Sequence, residues 1–139
     1  MKYNLKTLEE ADIKGKKILL RAPYDITLAE KNGKWIVPDD TRIRATVPTI
    51  EYLLQNGCAI GFLTYVRRPG GKVVEGMRTK PIAEKLSELL GRPVKALAEC
   101  VGPEVESEIR QMKPGDLIML ENVRFHPEEE AADPEFAKA

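Results

Sequence analysis

The sequence predicts an α/β fold, a three-layer α/β/α domain built on a mainly parallel sheet of about four strands, with residues 1–139 forming a single domain. Three observations predict it. Short apolar runs alternate with stretches whose apolar residues recur at helical spacing, the pattern of consecutive β–α–β units. The runs are almost continuously apolar, as in strands covered on both faces. No internal repeat or low-complexity linker interrupts the chain, and 139 residues are one domain's worth.

The elements follow in order. Lys16–Ala22, bounded by Gly15 and Pro23, is expected to be a strand buried on both faces. Residues 28–38 carry Asn32-Gly33 ahead of Trp35-Ile36-Val37, and read as a β-hairpin or an extended loop. Asp40 or Thr41 caps a helix in which Ile43, Val47, Ile50, Leu53 and Leu54 face inward, with Asn56-Gly57 as its stop. Pro48 inside this helix predicts a kink or an irregular first turn. Ala59–Leu63 is the second strand, and the basic, glycine-containing segment Arg67–Arg78 is a loop.

Pro81–Leu90 is an amphipathic helix with Ile82, Leu86, Leu89 and Leu90 inward and Gly91 at its end. Val94–Ala98 is the third strand. Pro103 opens a helix over Glu104–Met112, with Val105 and Ile109 toward the sheet. Lys113-Pro114-Gly115 breaks it before the fourth strand, Asp116–Leu120. Asp133-Pro134 then signals the start of another helix.

Composition excludes several function classes. Lys plus Arg (22) equals Asp plus Glu (22), so no net field favours nucleic acid or an anionic membrane. No apolar run approaches the ~20 residues that span a bilayer. Met1–Lys6 lacks the apolar segment of a signal peptide, so a cytoplasmic location is expected. Cys58 and Cys100 share no metal-type spacing and read as buried small hydrophobes. The single histidine is His126, and no nucleophile elbow, P-loop or dinucleotide fingerprint is present.

The arginines carry the functional signal. Arg21 ends the first strand, Arg67 and Arg68 follow the second, Arg124 follows the fourth, and Arg42 opens the first helix. In an open parallel sheet the loops beyond the carboxyl ends of the strands share one side, beside helix amino ends that favour anions. Four of the five can converge on one mouth there. The alternative is five scattered surface arginines.

The stretch Leu120-Glu121-Asn122-Val123-Arg124-Phe125-His126-Pro127 resembles the LENxRFHxxE signature of phosphoglycerate kinases. Asp39-Asp40-Thr41-Arg42-Ile43-Arg44-Ala45 with Val47-Pro48-Thr49-Ile50, Arg68–Glu75, Ala83–Gly91 and Lys113–Asp116 are similar in the same order. The resemblance covers nearly the whole chain. It implies a Rossmann-like amino-terminal domain that binds 3-phosphoglycerate through a basic patch, with Arg42, Arg68 and Arg124 matching its arginines. It also implies that nucleotide and magnesium belong to a second domain, so no cofactor is expected on this chain. The family's sheet has six parallel strands, of which four are recognised here. The first strand is then expected to be an exposed edge, suited to a homodimer through residues 16–22.

Two rim segments depart from the family. Where it reads R-V-D-[FY]-N-V-P, this chain has Arg21-Ala22-Pro23-Tyr24-Asp25-Ile26-Thr27. Pro23 replaces a substrate-holding aspartate, and Asp25 replaces an asparagine. Where the family reads S-H-L-G-R-P, this chain has Thr64-Tyr65-Val66-Arg67-Arg68-Pro69. Tyr65 stands in place of a histidine, and Arg67 in place of a glycine whose backbone freedom it lacks. Substrate-contacting candidates are therefore Arg42, Arg68, Arg124, Asp25 and Tyr65. The first functional expectation is a domain fragment or engineered derivative with a weak 3-phosphoglycerate-like anion rim, not catalytic alone. The alternatives are an engineered or repurposed interaction scaffold using residues 23–27 and 65–68, and an active ATP:3-phosphoglycerate phosphotransferase.

Overall fold

The computed structural model describes residues 5–139, so Met1–Asn4 of the segment read for a signal peptide lie outside the described residues. The elements are β1 (Lys17–Arg21), β2 (Ala29–Lys31), β3 (Lys34–Ile36), α1 (Thr41–Gln55), β4 (Ala59–Leu63), α2 (Lys80–Leu90), β5 (Lys95–Ala96), α3 (Pro103–Arg110), β6 (Leu117–Met119), α4 (Pro127–Glu130) and α5 (Pro134–Lys138). Four strands form one sheet in the order β1-β4-β6-β5, with every neighbouring pair parallel. β2 and β3 form a separate antiparallel hairpin. Its turn residues Asn32 and Gly33 both have positive φ, 53° and 75°, as a tight hairpin turn requires.

Strand alternation divides the core into two layers. Ile60 and Phe62 of β4 with Leu117 and Met119 of β6 pack under Ile43, Ile50 and Leu53 of α1 and Ile82, Ala83 and Leu86 of α2. On the opposite face Ala59, Ile118 and Leu120 meet Val105 of α3, Met112, Cys100 and Val123, with Ile109 and Phe136 at the margin. The result is helices on both faces of a parallel sheet.

β1 is an edge strand, as the count of four strands implied, and pairs only with β4. It differs from the strand buried on both faces that its composition predicted, because none of its residues is fully buried. Ile18 and Leu20 pack toward α1, whereas Leu19 is 65% exposed on the other face. An edge strand alternates because only one of its faces meets the core. Beyond it, residues 22–28 run on with Ala22, Tyr24, Ile26 and Leu28 buried and Pro23, Asp25 and Thr27 outward. That period of two was present in the sequence behind Pro23.

Other boundaries also shift. β5 is shorter than Val94–Ala98 and β6 shorter than Asp116–Leu120. α1 runs unbroken through Pro48. Neither Asp40 nor Thr41 caps it through a side chain; Asp39 Oδ1 accepts from the Thr41 N–H (3.0 Å) and hydroxyl (2.6 Å) instead. Asp133 does cap α5, its Oδ1 accepting from the N–H groups of Glu135 (2.8 Å) and Phe136 (3.4 Å). α4, a single turn after His126, was not expected from the acidic run that forms it.

Candidate functional site

Parallel strands bring the segments that leave their carboxyl ends to one edge. Here these are residues 22–28, 64–71, 97–101 and 120–126, joined by the amino end of α1.

Two polar residues immediately after β6 hold this edge together. Glu121 is 4% exposed, and its Oε1 accepts from the backbone N–H of Thr79 (2.9 Å) and of Asn122 (2.9 Å). Its Oε2 receives Arg78 Nη1 at 3.1 Å. Asn122 is fully buried. Its Oδ1 accepts from the N–H of Val66 (3.1 Å) and Arg124 (3.0 Å), and its Nδ2 donates to the carbonyls of Val66 (2.8 Å) and Met77 (3.0 Å). Every polar atom of this side chain is used, which joins the loop after β4 to the loop after β6. Sequence reasoning treated Glu121 and Asn122 as parts of a signature and missed this framework. The available signal was a carboxylate and an amide directly after a buried strand, where unpaired polar groups are costly.

On this framework sits a connected set of rim side chains. Arg42 Nη1 donates to the Asp25 carbonyl at 2.9 Å. Asp25 Oδ1 accepts from the Arg67 N–H at 2.6 Å, and its Oδ2 lies 3.9 Å from Arg67 Nη1. Arg124 Nη1 donates to the Arg67 carbonyl at 3.3 Å, and the Arg124 guanidinium lies 3.8 Å from the centre of the Tyr65 ring. Contacts thus run from Arg42 through Asp25 and Arg67 to Arg124 and Tyr65. Arg68 follows Arg67 directly, is exposed, and has no ion-pair partner among the described residues. Arg21 stands apart from this chain of contacts: with Lys17 and Leu19 it lines a groove of about 680 Å³ toward α3.

Two of these cations already face carboxylates. Arg124 Nε lies 3.2 Å from Glu129 Oε2 and 3.6 Å from Glu130 Oε1, both on α4, while Asp25 answers Arg67. Arg67 also holds φ at 54°, a left-handed conformation that costs an L-residue about 1–2 kcal/mol. Arg67→Gly keeps the backbone N–H to Asp25 and relieves that strain, against a larger loss of chain entropy. Its expected effect is a gain in unfolding free energy of about 0.5–1 kcal/mol, read as a higher urea midpoint at constant slope.

At the β5 end of the same edge, His126 Nε2 and Glu99 Oε2 lie 2.8 Å apart, and Glu99 Oε2 also accepts the Cys100 N–H at 3.0 Å. Burial pushes the Glu99 carboxyl up, but the hydrogen bonds from His126 and Cys100 outweigh it and hold it below the ordinary glutamate value. Burial pushes the Cys100 thiol up to about 12.

The family model for phosphoglycerate kinase matches residues 8–139. Curated phosphoglycerate kinases of Dictyoglomus turgidum and Synechococcus elongatus are 48% and 49% identical to this chain over 99% of its length, which is 33% and 34% of theirs. The crystal structure of phosphoglycerate kinase from Pyrococcus horikoshii superposes with a TM-score of 0.76 at 32% identity, covering 90% of this chain and 29% of that one. The chain therefore spans about a third of the length of the relatives it matches. With the family model covering nearly all of it, this chain belongs to the phosphoglycerate kinase family.

Proposed function

We propose that this chain is the acceptor-binding part of a phosphoglycerate kinase, and that its rim holds a small phosphorylated carboxylate such as 3-phosphoglycerate on Arg42, Arg68 and Arg124. The observation that carries the reading is the continuous contact path from Arg42 through Asp25 and Arg67 to Arg124 over Tyr65. Guanidinium groups presented together offer forked donors that match phosphate and carboxylate oxygens. Phosphoryl transfer also needs a nucleotide and its magnesium positioned in line with the acceptor. The chain taken alone is assigned binding without turnover, so a coupled assay with ATP, magnesium and 3-phosphoglycerate is expected to stay at background.

Binding is expected to be weak for a definite reason. An incoming anion competes with Glu129 and Glu130 for Arg124, and with Asp25 for Arg67. Each such contact at a solvated edge is worth about 0.2–1 kcal/mol. Replacing both Glu129 and Glu130 with Gln removes two competitors and is expected to tighten 3-phosphoglycerate binding by about three- to tenfold. Arg124→Met is expected to abolish measurable binding. Isothermal titration checks both, and a double Gln variant that binds more weakly than the parent sinks the reading.

A second reading concerns assembly, and rests on β1 as an edge strand with Leu19 65% exposed. We propose that this edge can pair with a second copy. Antiparallel pairing centred on Leu19 sets Lys17 against Arg21 of the other copy, a like-charge contact that weakens the pair. Light scattering is then expected to show twice the 15.6 kDa chain mass more readily as salt rises. A mass of one chain at every salt concentration dismisses the idea.

A further inference from the structure

At the β5 end of the rim, the His126 ring lies between two carboxylates. Nε2 is 2.8 Å from Glu99 Oε2, and Nδ1 is 4.0 Å from Glu128 Oε2. The Glu128 oxygen is shielded from solvent and has no hydrogen-bond partner among the described residues. A neutral imidazole carries one N–H, so it cannot serve both neighbours. If the proton is on Nε2, Glu128 has no donor. If it is on Nδ1, two lone-pair atoms face each other at 2.8 Å. A doubly protonated ring would serve both carboxylates; a divalent cation on Nε2, with Glu99 Oε2 moved back from its present 2.8 Å, would equally leave Nδ1–H for Glu128.

The third member of the cluster supplies the chemistry. The Cys100 sulfur lies within 4.8 Å of both His126 and Glu99 ligand atoms. In a tetrahedral zinc site, bond lengths of about 2.0–2.3 Å set neighbouring donor atoms roughly 3.3–3.7 Å apart. The His126–Glu99 separation of 2.8 Å is shorter than that range and the Cys100 sulfur lies within 4.8 Å of both, so side-chain rotations that open the His126–Glu99 pair complete the site. Cys100 is buried, whereas the Glu99 and His126 side chains are 52% and 28% exposed, which leaves one approach open to water.

We propose that Glu99, Cys100 and His126 form a three-ligand site for a borderline-soft divalent cation, best matched by Zn²⁺, with Glu128 as the positioning residue that holds Nδ1–H. Thiolate and imidazole donors select zinc-like ions over magnesium and calcium, which take oxygen ligands. The carboxylate behind the imidazole is the usual second partner of a metal-bound histidine. On binding, the Cys100 thiol becomes a thiolate and its proton passes to solvent, while water takes the fourth position. The ion then clips the loop after β5 to the segment after β6, beside the arginine rim.

The test is metal retention by the whole chain after chelation, using ZnCl₂, MgCl₂ and, as a spectroscopic probe, CoCl₂. The expected result is one Zn²⁺ or Co²⁺ per chain, a thiolate-to-cobalt charge-transfer band, and no Mg²⁺ held against dialysis. Cys100→Ser should remove the band and weaken zinc binding at least tenfold, while Cys58→Ser, in the other core layer, changes neither. Glu99→Gln, at a half-exposed position, provides a second ligand variant if Cys100→Ser does not fold. Glu128→Gln should keep the band and cost roughly tenfold in affinity. Failure to retain zinc, a band that survives Cys100→Ser, or affinity unchanged in Glu99→Gln overturns the proposal.

Discussion

Replacing Glu121 with alanine is expected to lower the unfolding free energy by about 3–5 kcal/mol, the cost of stripping one side from a buried charged network. The carboxylate is 4% exposed and accepts from two backbone N–H groups, the Thr79 hydroxyl (3.3 Å) and Arg78. Alanine leaves the N–H groups of Thr79 and Asn122 buried without an acceptor, and frees Arg78 from its inner partner. Small domains are stable by only about 5–15 kcal/mol in total, so the change is a large share of the whole. Urea unfolding followed by circular dichroism measures it. Glu121→Gln keeps the shape but forces an amide donor against either Arg78 or the N–H pair, so it should fall between alanine and the parent. A loss below 1 kcal/mol for Glu121→Ala means other contacts hold the rim segments. Loss of this framework should also weaken anion binding, because Asn122 positions the Arg124 backbone and is itself held by Glu121.

Gly71→Ala is the second large effect expected. Gly71 has φ of 75°, and a Cβ built there meets Pro127 Cβ at 2.8 Å and Pro127 Cα at 3.1 Å. Left-handed strain of about 1–2 kcal/mol adds to an overpacking cost of about 1–3 kcal/mol. Neither can relax cheaply, because Pro127 opens α4 with backbone atoms against the glycine. The expected destabilisation is about 2–5 kcal/mol. The same clash pushes α4 away, carrying Glu129 and Glu130 from Arg124, so a folded fraction should show altered Arg124 side-chain signals. Gly70→Ala is the control: its φ is 78°, yet nothing lies near its Cβ, so only the backbone term applies. Equal losses at both positions contradict the packing argument.

These effects show which parts of the molecule could be read in the chain. β4 appears at Ala59–Leu63 as expected, because a strand covered on both faces needs an unbroken apolar run. The hairpin at Asn32-Gly33 and the start of α5 at Asp133-Pro134 were legible because turns and caps are local chemistry. β1 was misread as buried on both faces: Lys17, Leu19 and Arg21 alternate outward, and the apolar look of Leu19-Leu20 hid this. The same alternation places Arg21 on the α3 side rather than among the linked rim arginines. Arg67, expected to lack a glycine's backbone freedom, nevertheless holds a left-handed φ of 54°. The ties from Glu121 to Thr79, from Asn122 to Val66 and Met77, and from Arg124 to Glu129 depend on how loops fold over one another. Only tertiary structure reveals them.

The central claim is a small-anion site on the rim formed by Arg42, Arg68 and Arg124, reached by displacing acidic neighbours. The most direct measurement is an NMR titration of the whole chain with 3-phosphoglycerate, following amide and arginine side-chain signals. The account predicts saturable shifts confined to residues near Asp25, Arg42, Tyr65–Arg68 and Asn122–Arg124, lost in Arg124→Met and appearing at lower concentration in the Glu129→Gln, Glu130→Gln double variant. No saturable shift, or shifts centred on the Leu19 groove with the rim unmoved, contradicts it.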